Sequence, residues 1–260
     1  MRTRFALPVC TGLLFSLATS AFAVTVQVRD AVGGESNNGP EPGYFKEDTA
    51  RGGDPRGTYS NGPTEQLFSG MFDFEMRMDG GGDGPPPQQE WQELLTYCAE
   101  PFQGVGFDIN PPDDVGLPYE IVPLAGTNGI TPDEAVFLEI LWANAFPLTI
   151  PNPGDDVTEA SARASAFQIL VWEVNQDDSI DLTTNDGVNQ FRLTLGDSFT
   201  NRVYDIAQEW IDLIQTEQWT ERTTLYALVS DYSQDLLTTV PEPASALSLL
   251  AGLLLVGRRR

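Results

Sequence analysis

The sequence predicts an α+β domain. Strand-like alternation fills the N-terminal half, helical spacing dominates residues 131–214, and a strand-like run follows the helices. That order, strands then helices then a return to strand, differs from the βαβ alternation that builds a parallel sheet, and the chain contains no internal repeat.

Each element rests on its own residues. Val24, Val26 and Val28 alternate with Thr25, Gln27 and Arg29, the period of a half-buried strand. Residues 33–63 carry Asn37-Asn38-Gly39-Pro40, Gly52-Gly53-Asp54-Pro55 and Asn61-Gly62-Pro63, a density of turn formers that predicts an irregular loop. Phe72, Phe74, Met76 and Met78 alternate with Asp73, Glu75 and Arg77 as a second strand, which the run Asp79 to Pro85 terminates. Leu94 to Ala99 forms a third strand, with Cys98 near its end and Pro101 at the exit. Thr131-Pro132-Asp133-Glu134 is a capping box with proline at the first helical position, and Pro147 is expected to stop the helix it opens. A second helix is expected from near Asp156 to about Val174, carrying Gln168. Val203, Ile206, Ala207, Trp210, Ile211 and Ile214 share one face of a third helix, and Thr224 to Val229 is a closing strand.

Both ends of the chain read as processed signals. Arg2 and Arg4 precede an apolar stretch from Phe5 to Leu17 and the small-residue site Ala21-Phe22-Ala23, so residues 1–23 form a signal peptide cleaved after Ala23. At the other end, Pro241-Glu242-Pro243 is followed by an apolar run from Ala244 to Val256 and by Arg258-Arg259-Arg260. The run is shorter than the roughly 20 apolar residues of a stable spanning helix, and the arginines hold its end in the cytoplasm. This arrangement resembles the PEP-CTERM sorting signal, which the membrane protease exosortase cleaves in Gram-negative bacteria that make exopolysaccharide. The resemblance implies an exported protein of the cell surface or extracellular matrix, whose tail inserts transiently as a transmembrane helix and meets exosortase. The expected division is a signal peptide (1–23), one domain (24–236) and a sorting tail (237–260).

Composition narrows the function further. All 38 acidic residues but only nine of the 14 basic ones lie between Val24 and Pro243, so nine minus 38 leaves that span with a formal charge of −29. Nucleic acid and anionic membranes are poor partners for such a surface, because phosphate binding rests on clustered Lys and Arg. The chain has no histidine, which removes Ser-His-Asp and Cys-His catalysis and most zinc and copper sites. Acidic clusters at Asp108 to Asp114, Asp155-Asp156 and Asp177 to Asp186 lack the spacing of an EF-hand loop and read as solvated loops, so no metal ligand and no cofactor is expected. Paired carboxylates of a glycoside hydrolase can be chosen almost anywhere in so acidic a chain, and that reading ranks last.

Cys10 leaves with the signal peptide, which makes Cys98 a lone cysteine in an exported protein. An inert buried thiol, an intermolecular disulfide or another covalent bond would each account for it. Gln168 interrupts the apolar segment Ala166 to Val174, and helical spacing sets it in line with Ala164, Val171 and Trp172. A carboxamide buried there needs a partner: a backbone carbonyl, a water, or Cys98.

Thr96-Tyr97-Cys98-Ala99-Glu100, followed about seventy residues later by Phe167-Gln168-Ile169-Leu170-Val171-Trp172-Glu173, resembles the bacterial surface thioester domain. The similarity extends over roughly Tyr97 to Leu228. It implies an antiparallel β-barrel or sandwich with a helical subdomain, and a thioester between Cys98 and Gln168 shielded by Tyr97 and Trp172. It also implies a protein that is no enzyme in the usual sense, reacting once with an amine-bearing surface or matrix component in adhesion or a biofilm. Departures from the Gram-positive adhesins of this type are the absence of a repetitive stalk and of their cell-wall anchoring motif. Lys46 is the sole lysine of the chain, so few internal amines could consume such a bond. The alternative function is a non-reactive acidic structural protein of the exopolysaccharide matrix.

Overall fold

The computed structural model describes residues 24–30, 50–53, 56–59, 65–66, 69–78, 90–99, 116–151, 154–176, 180–183, 191–231 and 233–240. Six antiparallel strands close into a barrel: β1 (Val24–Asp30), β5 (Ser69–Met78), β6 (Gln92–Cys98), β7 (Leu117–Pro123), β9 (Tyr226–Val229) and β10 (Leu236–Thr238). Around the ring the order is β1-β7-β9-β10-β6-β5, and β5 returns to β1. Closure removes the free sheet edges that an open sheet of this size would expose. The α+β class and the barrel with a helical subdomain are therefore the observed architecture.

Alternation explains the strands that were legible. Val26 and Val28 of β1 and Phe72, Phe74 and Met76 of β5 point into the core, while Thr25, Gln27, Glu75 and Arg77 are only half-buried. β5 is long enough to serve two partners on one edge. Its C-terminal half pairs with β1 (Phe74↔Asp30 to Met78↔Val26), and its N-terminal half pairs with β2 (Ala50–Gly53).

β2 corrects the expectation of an irregular loop over 33–63, as does β3 (Arg56–Tyr59), which joins β4 (Glu65–Gln66) and β8 (Phe191–Leu193) in a small second sheet. Gly52 and Gly53, which suggested a turn, sit in a ladder with β5, where backbone hydrogen bonds to a neighbouring strand outweigh local turn preference. β7 and β10 carry no strong sequence signal. Pro118 and Pro123 disguise β7, although Pro118 takes a regular register position opposite Gln27. β10 (Leu236–Thr238) straddles the expected boundary between the domain, ending at 236, and the tail, beginning at 237. Leu236, Leu237 and Thr238 are all buried, and so is Val240, so the folded body extends beyond 236.

Three helices cover one side of the barrel: α1 (Pro132–Thr149), α2 (Val157–Gln176) and α3 (Ser198–Gln215). The capping box forms as expected, with Glu134 N–H donating to Thr131 Oγ1 and Thr131 N–H donating to Glu134 Oε2. Pro147 does not stop α1, which runs on to Thr149. A proline in the last turn forfeits one intrahelical bond, and the buried aromatic packing of this end compensates for it. Asp156 begins α2 by accepting from Thr158 N–H at 2.8 Å, and Asp197 caps α3 by accepting from Thr200 N–H at 2.8 Å. α2 is the central helix, packed against β2, β5 and β6 on one side and against α1 and α3 on the other. No helix among the described residues is long and apolar enough to cross a membrane. The expected tail helix, Ala23 and Pro241-Glu242-Pro243 lie outside the described residues.

Candidate functional site

Cys98 and Gln168 meet at the contact between the barrel and α2. Cys98 N–H donates to Gln168 Oε1 at 2.9 Å, and Gln168 Nε2 donates to the Cys98 carbonyl at 2.8 Å. Gln168 is 0% exposed and Cys98 3%. One carboxamide therefore spans both backbone groups of one residue, as a neighbouring strand would.

Strand geometry explains the fit. Ala99 N–H donates to the Asp235 carbonyl on the β10 side of β6, so the N–H and C=O of Cys98, one residue earlier, face the opposite edge. That edge belongs to β5 only as far as Phe72↔Thr96. Beyond this pair α2 approaches the sheet, and Gln168 takes the ladder positions that β5 no longer fills. Two more side chains of α2 bind the barrel in the same way. Ser165 Oγ donates to the Ser69 carbonyl at 3.0 Å, and Asn175 Nδ2 donates to the Ala99 carbonyl at 2.8 Å. Residues 165, 168 and 175 are spaced by three and seven, one stripe of a helix. Each such bond contributes about 1 kcal/mol, and together they set both the rotation of α2 and its height on the barrel.

The Cys98 sulfur lies two covalent bonds from the Cα that carries both partners of Gln168. It donates to Gln234 Oε1 at 2.8 Å, and Gln234 is 4% exposed. Among the described residues Cys98 is a free, buried cysteine. Burial pushes its thiol well above the ordinary value, because a thiolate would lose its hydration there. Tyr119 O–H donates to the Gln234 carbonyl at 3.3 Å, and burial raises its phenol to about 12, so it remains a neutral donor.

Aromatic rings cluster at the residues next to the pair. Tyr97 stacks on Phe167 with ring centroids 4.3 Å apart and meets Trp142 and Phe146 edge-on, and Trp142 stacks on Phe146 at 4.3 Å. Trp172, one turn beyond Gln168, is buried and packs against Phe191 with centroids 6.0 Å apart. Tyr97 and Trp172 are both buried, but in separate ring clusters: Tyr97 with Phe167, Trp142 and Phe146, and Trp172 with Phe191. Glu173 is 0% exposed and accepts from Asp181 N–H at 2.8 Å, which ties the chain after α2 back onto the helix.

Gln234, Tyr119, Phe167, Trp142 and Phe146 were not singled out as site residues in the sequence. Phe167 was next to Gln168, and the spacing of Trp142 and Phe146 placed them on one face of α1. Gln234 gave no signal: it sits in the polar run Asp231-Tyr232-Ser233-Gln234-Asp235, and only the pairing of β10 with β6 brings it to the sulfur. Among the described residues no group of three or more His, Cys, Asp or Glu side chains is arranged to hold a metal ion.

The arrangement suits acyl chemistry between two side chains of one chain. The Gln168 carboxamide is held on the backbone of the residue that carries the thiol, both are buried, and the carboxamide oxygen already faces an N–H donor. No protein-family model, no curated protein and no solved structure matches the chain.

Proposed function

We propose that this is an exported protein of the cell surface or extracellular matrix, sorted by its C-terminal tail. Its domain stores an internal thioester between Cys98 and Gln168 for covalent attachment to amine-bearing partners. The observation that carries this reading is the two-point seating of the Gln168 carboxamide on the Cys98 backbone. Attack of the Cys98 sulfur on the Gln168 carboxamide carbon forms the C–S bond and breaks the C–N bond. The thiol proton leaves with the nitrogen as ammonia. Negative charge that develops on Oε1 falls on the oxygen that Cys98 N–H already contacts, the geometry of an oxyanion donor. No histidine base is required, because the proton passes to the leaving nitrogen and proximity within the fold supplies the rest.

Burial shields Cys98 and Gln168 from outside reagents and from the water that would hydrolyse the stored bond. An incoming primary amine then attacks the acyl carbon, an amide forms, and the thiol is released. Each molecule reacts once. The acidic character of the chain favours partners whose amines lie on cationic surfaces.

One observation favours a second reading. Gln168 completes the hydrogen bonding at the end of β6, a sufficient structural reason for a buried carboxamide in a non-reactive acidic matrix protein. A fluorescent primary amine separates the two. The thioester reading expects stoichiometric covalent label on the peptide that contains Gln168, and none in Cys98→Ala. Unlabelled protein whose Cys98 becomes alkylatable on unfolding in the absence of amine contradicts it and leaves the structural role.

A further inference from the structure

Gln234 stands where a group that controls the sulfur would have to stand. Its side chain is 4% exposed, and its Oε1 accepts from the Cys98 thiol at 2.8 Å. Its backbone is fixed from two sides. Tyr119 O–H donates to its carbonyl at 3.3 Å, and the next residue, Asp235, accepts from Ala99 N–H at 2.9 Å through its own carbonyl. The Asp235 carboxylate further accepts from Ser230 N–H at 3.0 Å and from Asn128 Nδ2 at 2.9 Å. Leu236 then pairs with Cys98 in the barrel. The segment that carries Gln234 is thus tied to β6, to β7 through Tyr119 and to the β7–α1 connection through Asn128.

A carboxamide offers an acceptor on one side and two donors on the other, and a half-turn about its last torsion exchanges them. The sulfur passes through two states that need opposite partners. As a thiol it has a proton to donate; as the group expelled by an amine it carries an electron pair and needs a donor.

We propose that Gln234 is the positioning residue for the Cys98 sulfur, accepting from the thiol while the thioester forms and, with its carboxamide turned, donating Nε2–H to the sulfur as an amine displaces it. This inference rests on the thioester reading and deepens it. In the second step the amine nitrogen bonds to the acyl carbon of Gln168, and the C–S bond breaks with its electron pair on sulfur. The proton lost by the amine then neutralises the sulfur as a thiol. A donor is most valuable at this moment, because a thiolate in an apolar contact is otherwise poorly solvated.

The test uses the full domain and methylamine as the probe. Aminolysis is followed by intact mass, and its rate constant is taken only over molecules that carry the thioester, so incomplete formation or folding does not enter. Gln234→Met keeps the length of the side chain but removes both the acceptor and the donor beside the departing sulfur. It is expected to slow aminolysis by at least roughly tenfold, the size of one lost bond to a charged group. A rate equal to that of the natural protein overturns the inference while leaving the thioester intact. A natural protein that shows no ammonia loss at all overturns the thioester reading itself. A second readout needs no change at 234. In Gln168→Ala, where the thiol cannot be acylated, the infrared S–H stretch is expected below that of an unbonded thiol, and a band at the unbonded position contradicts the assigned contact.

Discussion

The second and third helices handle polar residues in opposite ways. α3 is an ordinary amphipathic helix. Val203, Ile206, Ala207, Trp210 and Ile211 are buried on one face, while Asp205, Glu209 and Asp212 are exposed on the other. Its carboxylates are solvated where they stand. α2 is buried without a break from Ala164 to Val174, between the barrel and its two sister helices. On such a helix a polar side chain needs a protein partner, and Ser165, Gln168, Glu173 and, just past this stretch, Asn175 each make at least one hydrogen bond. The exposed carboxylates of α3 therefore report on solubility, whereas the buried polar residues of α2 report on the architecture of a site.

Substitutions that invert this difference show the largest effects. Gln168→Ala opens a cavity and strands the N–H and C=O of Cys98, so urea denaturation is expected to show a loss of about 3–5 kcal/mol relative to protein without the thioester. If the loss is as small as that of a surface change on α3, the burial contrast between the helices is wrong.

Alkaline pH probes the barrel side of the α2 contact. Tyr119 has its phenol raised from 10.0 to about 12 by burial, so its contribution is complete below pH 10 and is lost as pH rises toward 12, where the unfolded chain ionises first. Across that window the natural protein is expected to lose about 2–3 kcal/mol more than Tyr119→Phe, read as the shift of the urea midpoint with pH. On α3 the buried face is conventional. Val203→Ala is expected to cost about 2 kcal/mol, the transfer term for the methyl groups removed, with no effect on amine labelling. The smallest effect lies on the surface, where Arg202 donates to Glu159 from Nε at 2.9 Å and from Nη2 at 2.6 Å, and Arg202 together with Arg163 holds the Glu159 carboxyl below its ordinary value. A lowered carboxyl stabilises the fold above the unfolded pKa and ceases to do so as pH falls. Arg202→Ala should therefore cost about 1 kcal/mol or less near neutrality, and the difference should vanish in acid or high salt.

The same contrast explains how much was legible in the sequence. β1 and β5 have a clear inward and outward alternation, β6 is a short apolar run, and the capping box at Thr131 gives α1 a definite start. Gln168 stood out because it was the single carboxamide in an apolar run, and Cys98 because the chain's other cysteine falls in the expected signal peptide. β2 and β3 did not, since Arg51-Gly52-Gly53 and Arg56-Gly57-Thr58 become strands through their neighbours rather than through their own pattern. Pro147 misled because the cost of a proline depends on its place in the helix, and in the last turn of α1 little remains to be lost. Gln234 was invisible for a topological reason: its approach to Cys98 depends on β10 pairing antiparallel to β6 across more than half of the chain. Local pattern reveals which residues need partners, and only the barrel's closure reveals which partners they get.

The central claim is that Cys98 and Gln168 are joined, not merely adjacent. The intact mass of the purified domain tests it most directly, measured before and after methylamine beside Cys98→Ala and Gln168→Ala. The account predicts a native mass lower than the sequence mass by one ammonia, about 17 Da, a gain of one methylamine on treatment, and no deficit in either variant. A native mass equal to that of the sequence, with Cys98 fully alkylated once unfolded in the absence of amine, would contradict it.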